Sequence, residues 1–395
     1  MQRLKRIFFS LIFRIFPVKK RKIVISSYYG KGYNDNLKYI TNELVKNENL
    51  EIIWPISDDI YKGNIPEGIK ICKYDGIKYL YHLSTARVWI DNCRKAFYYK
   101  KKKQLYIQTW HGGGGQKRIE KDVIDKLGPY YERGAVRDSK QIDLMISESK
   151  FLTDLYHRAF WYNGPVWECG YPRYDILYKN HGDIVNKVYD YYNISKSKMI
   201  VLYAPTFRKD KSIDVYDLDF ERTRKAISDR FNKDVVFLIR LHPIMTEKDV
   251  NIHFNLTRTI NASNYADAQE LLCASSILIG DYSSINFDFA LMRKPVFRYT
   301  RDINTYKEDR DFYYPFETFP YPYAENNDEF ITLIKNFDYN EYNDKLNIFF
   351  ALLGVKSNIN SSQLISDFIV NYINSGMKSK KYIEKNSNLF VYKNI

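Results

Sequence analysis

The side chains best suited to proton transfer and phosphate binding follow segments that are predicted to be strands. His111 lies directly after the apolar segment QLYIQTW and precedes four glycines, which begin with Gly112 and Gly113. Lys117 and Arg118 come next. An imidazole can accept a proton near neutral pH, glycines let a ligand approach the backbone, and cations neutralise phosphate. This combination favours a functional loop over the alternative, a loop histidine beside a flexible hinge.

Further cationic and hydroxyl groups occupy similar positions. Arg240 and His242 lie at the end of the apolar segment VVFLIRL, and Thr206 and Arg208 follow the segment MIVLYA. Arg173 lies in a turn predicted after GYP. Open α/β sheets bind ligands at the carboxyl ends of their strands, so we expect these groups to line binding sites.

Residues 275–299 combine strand, turn, helix and strand in one stretch. The apolar run at residues 277–279 predicts a buried strand that ends at Asp281, and a helix begins after Ser283 and Ser284. The unpaired N–H groups and the dipole at such a helix start favour an anion, most often a phosphate. The alternative is that one serine simply caps the helix.

Strand and helix segments alternate along both halves of the chain, which predicts an α/β fold with two doubly wound parallel sheets. The predicted strands are Lys22–Ser27, Leu50–Ser57, Ile69–Tyr74, Ala86–Asp91, Gln104–Trp110, Gln141–Ser147, Val166–Cys169, Met199–Ala204, Val235–Leu241, Ile277–Ile279 and Val296–Tyr299. The polar helical segment 180–198 contains no predicted strand and is the expected domain boundary. We expect a basic, hydroxyl-rich second domain to face His111 across a cleft, which suits transfer from a nucleotide diphosphate donor.

Composition narrows the class of protein. The chain has 395 residues, of which 45% are hydrophobic, and a formal net charge of +14. These values predict two domains, or three at most, with sizeable cores and an anionic partner: a nucleic acid, an acidic membrane or a phosphate-rich substrate. The four cysteines are far apart and lack metal-ligand spacing, which argues against zinc and predicts buried, reduced thiols.

Residues 1–22 are predicted to form a basic amphipathic segment on a membrane surface. Its apolar face comprises Ile7, Phe8, Leu11, Ile12 and Ile15. The apolar run is too short to span a bilayer and lacks a signal-peptide cleavage site. Burial of aromatic rings and attraction to anionic lipid favour an interfacial helix, and the alternative is a helix packed on the protein's own body. The basic run at residues 100–103 is interpreted as a solvated face, with lipid or polymer binding as its alternative.

The sequence resembles the CDP-glycerol glycerophosphotransferase family, the primases and polymerases of teichoic acid and capsule. The motifs QTWHG, GYPRYD, LYAPTFR, LIRLHP and IGDYSSINFDFALMRKP occur in that family's order and spacing, and GKGYNDNLKYI is similar to its first loop. The resemblance extends from about Lys22 to Pro322. It implies a GT-B fold with an N-terminal Rossmann-like acceptor domain (23–182), a C-terminal Rossmann-like domain that binds a CDP-alditol donor (198–340), and a helical tail (341–395).

The resemblance also implies roles for the strand-end residues. His111 is similar to the base that deprotonates the acceptor hydroxyl, and His242 to the histidine that contacts the donor pyrophosphate. Ser283 and Ser284 would cradle the donor phosphate, and Arg208 matches a phosphate partner. The other matches divide into phosphate-binding residues, Thr206, Lys117 and Arg118, and supporting residues, Asp281, Asp288, Arg240, Arg173, Gly112 and Gly113. Asp288 would have a structural or cytidine-side role.

Two features depart from the family pattern beside the expected acceptor. The loop after WHG has Gly113–Gln116 where the family has Thr-Pro-Leu, so it is one residue longer, and Glu120 stands where a glycine is common. The identity of the acceptor is therefore open.

The implied reaction moves glycerol phosphate or ribitol phosphate from its CDP carrier to a hydroxyl of a lipid-linked, polyol-phosphate or saccharide acceptor, and CMP leaves. Protein cations would neutralise the phosphates, so no cofactor is expected, with stimulation by Mg²⁺ left open. The expected partners are the donor, the acceptor and an anionic membrane, without nucleic acid, at the cytoplasmic face of a bacterial membrane. The alternatives are a GT-B glycosyltransferase that uses a nucleotide sugar and a non-catalytic polymer-binding subunit, although the two histidines argue against the latter.

Overall fold

The computed structural model describes residues 7–9, 11–58, 65–95, 98–179, 182–206, 208, 216–241, 259–309, 311–356 and 360–393. The chain divides into two compact units. The first unit comprises Met1–Gly112, Ile119–Asp175 and Leu353–Ile395, and the second unit comprises Gly113–Arg118 and Ile176–Leu352.

The first unit is built on a seven-stranded parallel sheet. Its strands are β1 (Lys22–Ser26), β2 (Glu51–Ile56), β3 (Lys70–Lys73), β4 (Val88–Asp91), β5 (Leu105–Gln108), β6 (Leu144–Ile146) and β7 (Val166–Trp167). They lie in the order β3-β2-β1-β4-β5-β6-β7. The central strand β1 is buried along its whole length, as expected for a parallel strand whose three middle residues are apolar.

The second unit is built on a six-stranded parallel sheet. Its strands are β8 (Met199–Tyr203), β9 (Val235–Ile239), β10 (Thr259–Asn261), β11 (Ile277–Gly280), β12 (Val296–Tyr299) and β13 (Tyr323–Ala324). They lie in the order β10-β9-β8-β11-β12-β13, and β8 is again fully buried.

Helices connect the strands and follow the last of them. They are α1 (Asp35–Leu44), α2 (Ile77–Thr85), α3 (Pro129–Ser139), α4 (Lys150–Ala159), α5 (Gly182–Tyr191), α6 (Phe220–Phe231), α7 (Ala268–Ala274), α8 (Ile285–Ala290), α9 (Ile303–Asp309), α10 (Asn327–Lys335), α11 (Tyr339–Leu353), α12 (Ser361–Ser375) and α13 (Ser379–Lys385). Short polar side chains cap the amino ends of several helices. The Ser149 side chain accepts a hydrogen bond from the N–H of Leu152 at the start of α4, and the Asp219 side chain accepts one from the N–H of Arg222 at the start of α6.

Both sheets have the strand order of a Rossmann-like unit, which confirms the predicted α/β fold with two doubly wound parallel sheets. In each sheet the winding direction reverses at one place, between β1 and β4 in the first unit and between β8 and β11 in the second. Ligands of such sheets bind beyond the carboxyl ends of the strands at this reversal. The predicted strands are confirmed to within a few residues, whereas β10 and β13 were missed because two or three residues carry no readable periodicity.

The units divide the chain at different places from the expected boundaries. Helix α5 belongs to the second unit because it packs on α7, where the ammonium of Lys187 contacts the carboxylate of Glu270 at 2.7 Å. Residues 353–395 belong to the first unit rather than to a separate tail. There Asp175 accepts from the N–H groups of Ser361 and Ser362 at 3.0 and 2.8 Å, which fixes the start of α12.

Part of the amino-terminal segment packs on the protein's own body. Residues 7–9 and 11–12 are helical, and a 3₁₀ turn follows at Phe13–Ile15. The rings of Phe13 and Phe16 pack edge-on against Tyr81, with centroids 5.9 and 5.5 Å away. Phe8 and Ile15 are nevertheless exposed, so part of the apolar face remains in contact with solvent.

Gly280 ends β11 directly beside the Asn286 side chain. A Cβ atom at Gly280 would lie 2.1 Å from Asn286 Oδ1, so we expect Gly280→Ala to force a shift that costs about 1–3 kcal/mol of the free energy of unfolding. Chemical denaturation followed by circular dichroism measures this change. Gly128→Ala is the control, because a Cβ there meets nothing within 4 Å, and equal stability of the two variants would contradict the prediction.

Candidate functional site

In the first unit, His111 lies at the reversal of strand order. It follows β5, and its Nδ1 lies 2.7 Å from the carbonyl oxygen of Asn92, which follows β4. Because a carbonyl only accepts, Nδ1 must carry the proton, and Nε2 holds the lone pair of the neutral ring. The ring stacks on Trp110 at 4.5 Å and meets Tyr28, which follows β1, at 5.3 Å.

The surroundings of His111 keep its imidazole neutral. Burial lowers the pKa of His111 below its ordinary value of 6.5, although the hydrogen bond to Asn92 and the charge of Asp35 partly oppose this shift. An imidazole with a lowered pKa stays unprotonated at neutral pH. Its Nε2 is therefore available as a proton acceptor.

A buried ion pair holds the backbone of His111. Arg173 donates from Nη1 to the carbonyl oxygen of His111 at 3.0 Å and to Asp35 Oδ1 at 2.8 Å. The other oxygen of Asp35 accepts from the amide of Asn92. The Asn36 side chain accepts from the Arg173 backbone N–H at 3.2 Å. These contacts tie three separate loops to the position of the imidazole.

Left-handed backbone conformations cluster around the same histidine. Tyr28, Tyr29, Asp35 and Trp110 have φ values of 42°, 58°, 56° and 55°. For a residue other than glycine, each such conformation raises the free energy by about 1 kcal/mol. Strain of this kind persists where surrounding contacts hold it and is typical of functional sites.

The loop that follows His111 leads into the second unit. The hydroxyl of Tyr171 donates to the carbonyl oxygen of Gly112 at 3.3 Å, and Gly113 begins the segment that belongs to the second unit. Gly114 has φ +66°, and a Cβ there would lie 2.6 Å from the ring of Phe287. Only glycine suits both the conformation and the space.

Glu120 adopts the left-handed conformation that glycine favours, with φ 55°. Its carboxylate is buried, contacts Arg94 Nη2 at 2.7 Å and accepts from the hydroxyl of Tyr131 at 2.6 Å. Glutamate is therefore tolerated at this position because these two partners hold it.

In the second unit, Arg208 joins loops that follow three strands. Asp281 follows β11 and accepts from the backbone N–H and hydroxyl of Thr206 at 2.9 and 2.6 Å, and from Arg208 Nη1 at 2.9 Å. Asp302 follows β12 and accepts from Arg208 Nε and Nη2 at 2.6 and 3.0 Å. Burial alone would raise the pKa of Asp302, but its hydrogen bonds with Arg208 lower it overall.

Aromatic rings continue this cluster. The rings of Tyr282 and Tyr306 stack at 3.8 Å, and the guanidinium of Arg208 lies 5.0 and 5.2 Å from their centroids. The ammonium of Lys117 lies 5.1 Å from the ring of Tyr306. Cation–π attraction thus places Lys117, a predicted phosphate-binding residue, beside the ring that stacks on Tyr282.

The two predicted phosphate-binding serines lie at the start of α8. Ser284 makes no side-chain hydrogen bond that caps the helix, and Ser283 Oγ accepts from the N–H of Ile285 at a long 3.4 Å. Both side chains are half-buried. The capping alternative therefore accounts for one weak hydrogen bond of Ser283.

The remaining predicted residues lie outside these two clusters. Arg240 donates to the carbonyl oxygens of Ala262 and Tyr265 at 3.2 and 2.7 Å, and burial lowers its pKa. Asp288 is buried and accepts from Gln269 at 3.0 Å. Arg118 forms an exposed ion pair with Asp311 at 3.1 Å. His242 lies outside the described residues.

Several residues of the two clusters were not predicted from the sequence. Asp35 and Asn92 support His111, and Asp302 and Tyr306 complete the Arg208 cluster. Only Asp35 had a sequence signal, because it lies in the glycine-containing first loop, GKGYNDNLKYI. Within the described residues, no group of three or more His, Cys, Asp or Glu side chains is arranged to hold a metal ion, and no helix is long and apolar enough to cross a membrane.

Two Rossmann-like units with these strand-end sites define a transferase-like protein of the GT-B class. The chain belongs to the family described as CDP-Glycerol:Poly(glycerophosphate) glycerophosphotransferase, which matches residues 7–371.

Named relatives act on two alditols. The chain is 32% identical over 380 residues to the teichoic acid poly(glycerol phosphate) polymerase of Staphylococcus epidermidis, covering 89% of this chain and 51% of the polymerase. It thus spans about half the length of that relative. It is 29% identical over 385 residues to the teichoic acid ribitol-phosphate primase of Bacillus spizizenii, covering 93% of this chain and 95% of the primase.

Solved structures agree with the sequence relatives. The wall teichoic acid polymerase TagF superposes with a TM-score of 0.81 at 29% identity, covering 94% of both chains. A histidine-to-asparagine variant of TagF soaked with CDPG gives a TM-score of 0.83 at 28% identity, covering 95% of this chain and 94% of that one.

Removing the planar fork of Arg208 tests the second-unit cluster. Lysine keeps the charge but lacks the planar fork whose three nitrogens bond Asp281 and Asp302, so we expect Arg208→Lys to lower the free energy of unfolding by about 2 kcal/mol. Denaturant titration measures the loss. Arg222→Lys is the matched control, because its ion pair with Asp328 is exposed and should matter little. Equal effects of the two changes would contradict a structural role for Arg208.

The pKa of His111 provides a second test. We expect its titration midpoint to lie below 6.5, because burial disfavours the imidazolium. As the pH falls, the unfolded chain binds this proton at a higher pH than the folded chain does. The contribution of His111 to the free energy of unfolding is therefore present above pH 6.5 and is lost as the pH falls. NMR titration of labelled histidines, with His111→Gln to assign the signal, measures the midpoint. A value above 6.5 would refute the desolvation argument.

Proposed function

We propose that the protein transfers an alditol phosphate, glycerol phosphate or ribitol phosphate, from its CDP-activated donor to an acceptor hydroxyl and releases CMP. The observation that carries this proposal is the neutral imidazole of His111, fixed with Nε2 as its acceptor atom, in a chain of this family. The names of the relatives support both alditols, and TagF, which was soaked with CDPG, supports the CDP carrier.

The second unit would hold the donor. Ser283 and Ser284 offer hydroxyls at the start of α8, and Lys117 and His242 supply positive charge or hydrogen bonds to the pyrophosphate. Arg208 and Thr206 already bond to Asp281, so we assign them the task of fixing the phosphate-binding loop. This assignment refines their expected role from direct phosphate contact to support.

The first unit would supply the base. Nε2 of His111 takes the proton of the acceptor hydroxyl while its oxygen forms a bond to the β-phosphorus of the donor. The bond between that phosphorus and the bridging oxygen breaks, and the oxygen leaves with CMP. Arg173 and Asp35 keep the imidazole in place, so the rate enhancement comes from positioning and charge neutralisation.

We further propose a lipid-linked or polymer acceptor and a peripheral position on the cytoplasmic face of the membrane. The apolar side chains of Phe8, Leu11 and Ile15 support this position, because they are 59%, 48% and 79% exposed. Such side chains enter the boundary between head groups and acyl chains when basic residues flank them.

Donor competition separates the main proposal from the nucleotide-sugar alternative. Purified protein is incubated with CDP-glycerol, CDP-ribitol, UDP-sugars or GDP-sugars and a glycerol phosphate oligomer as acceptor. We expect CMP from one or both CDP-alditols and no UDP or GDP. Release of UDP or GDP without CMP would replace this proposal with a glycosyltransferase.

Substitution of the base gives the corresponding prediction for a residue. We expect His111→Ala to reduce CMP release by about 10²- to 10⁴-fold, the usual contribution of a general base, while calorimetry shows nearly unchanged donor binding. His157→Gln is the control. Nε2 of His157 lies 3.0 Å from the carbonyl oxygen of Gly164, and His157 takes no part in the contacts described for His111. Wild-type turnover by His111→Ala would remove His111 from the mechanism.

A further inference from the structure

Three basic segments that are far apart in the sequence meet at one edge of the first unit. They are residues 19–21, residues 101–103 and residues 378–381. The N–H of Ser379 donates to the carbonyl oxygen of Lys102 at 3.3 Å. The hydroxyl of Tyr372 donates to the carbonyl oxygen of Lys103 at 2.9 Å. The second and third segments are therefore neighbours.

Buried Arg87 joins all three segments. Its backbone N–H donates to the carbonyl oxygen of Lys22 at 2.7 Å, directly after the first segment. Its guanidinium donates to the carbonyl oxygens of Lys103 and Met377 and stacks 4.0 Å from the ring of Tyr372. One residue, through its backbone and its side chain, thus connects the three basic segments.

The side chains of these segments point largely into solvent. Exposed cations at this edge are Arg14, Lys19, Lys20, Arg21, Lys102, Lys103, Lys378, Lys380 and Lys381. Lys101 is half-buried and donates to the carbonyl oxygens of Phe13 and Phe16, which places the amino-terminal segment beside the lysines. Ile15 on that segment is 79% exposed.

We propose that this composite surface binds the anionic head groups of a lipid bilayer. Lysines 378, 380 and 381 extend the membrane contact far beyond the amino-terminal segment. The inference deepens the proposed membrane position and rests on it. Each basic residue near an anionic bilayer adds attraction, and the adjoining exposed apolar side chains provide the second component that stable peripheral binding needs.

The exposed apolar side chains favour a bilayer over a soluble polyanion such as the polymer product. A polyanion in water offers nothing to the exposed Phe8, Leu11 and Ile15, whereas a bilayer interface accepts both apolar and cationic groups.

Vesicle binding by a triple variant tests the inference. Lys378→Gln, Lys380→Gln and Lys381→Gln are combined, and sedimentation is measured with phosphatidylcholine vesicles with and without phosphatidylglycerol. We expect partition onto the anionic vesicles to weaken by roughly tenfold to a hundredfold, with no change on phosphatidylcholine alone. Replacement of the same three lysines by arginine should preserve binding and shows that charge, rather than folding, is responsible.

A matched control removes the same charge from the second unit. Lys225→Gln, Lys233→Gln and Lys335→Gln alter exposed lysines there, and we expect wild-type binding. Equal weakening by both triple variants, or unchanged binding by the first, would overturn the inference. The inference would also be overturned if the wild-type protein bound soluble polyphosphate tightly and did not bind vesicles that contain phosphatidylglycerol.

Two further measurements separate this inference from the proposed function. Phe8→Ser, Leu11→Ser and Ile15→Ser should weaken binding to both kinds of vesicle, because these changes remove apolar contact and leave the charge. CMP release with a soluble acceptor should be normal in the lysine variant. Normal vesicle binding without any CMP release would refute the transferase proposal and leave the lipid surface standing.

Discussion

The ion pairs of Arg208 with Asp281 and Asp302 are the constraint on which the second unit's site depends. One planar guanidinium bonds carboxylates from loops that follow β11 and β12, while its own loop follows β8. A buried charge is costly unless its partners are complete, so the three loops can adopt only arrangements that keep these bonds. The position of Ser283 and Ser284, which follow Asp281 and Tyr282, follows from that restriction.

In the first unit, another arginine holds the loops at the strand ends. Arg173 and Asp35 form a buried pair, and their remaining hydrogen bonds reach the backbone of His111 and the amide of Asn92. Asn92 in turn fixes which nitrogen of the imidazole carries the proton. In both units an Arg–Asp pair at the reversal of strand order holds loops whose backbone would otherwise be free, which suits catalysis by positioning.

The first unit also separates its two chemical surfaces. The histidine lies beyond the carboxyl ends of the strands, and the lysine-rich surface gathers where β1 and β5 begin. Parallel strands make this separation possible, because all of their amino ends lie at one edge and all of their carboxyl ends at the other.

The sequence by itself determined the fold class, most strand positions and the strand-end positions of the candidate site residues, because apolar runs, glycines and motifs such as QTWHG and IGDYSS are local. Tertiary structure alone decided which residues support them. Asp302 and Asn92 carry no motif, and they matter because parallel strands bring distant loops to one edge. Residues 353–395 return to the first unit, and Lys378–Lys381 join Lys101–Lys103, through hydrogen bonds between residues 186 and 269 positions apart. Such contacts cannot be read from either segment alone.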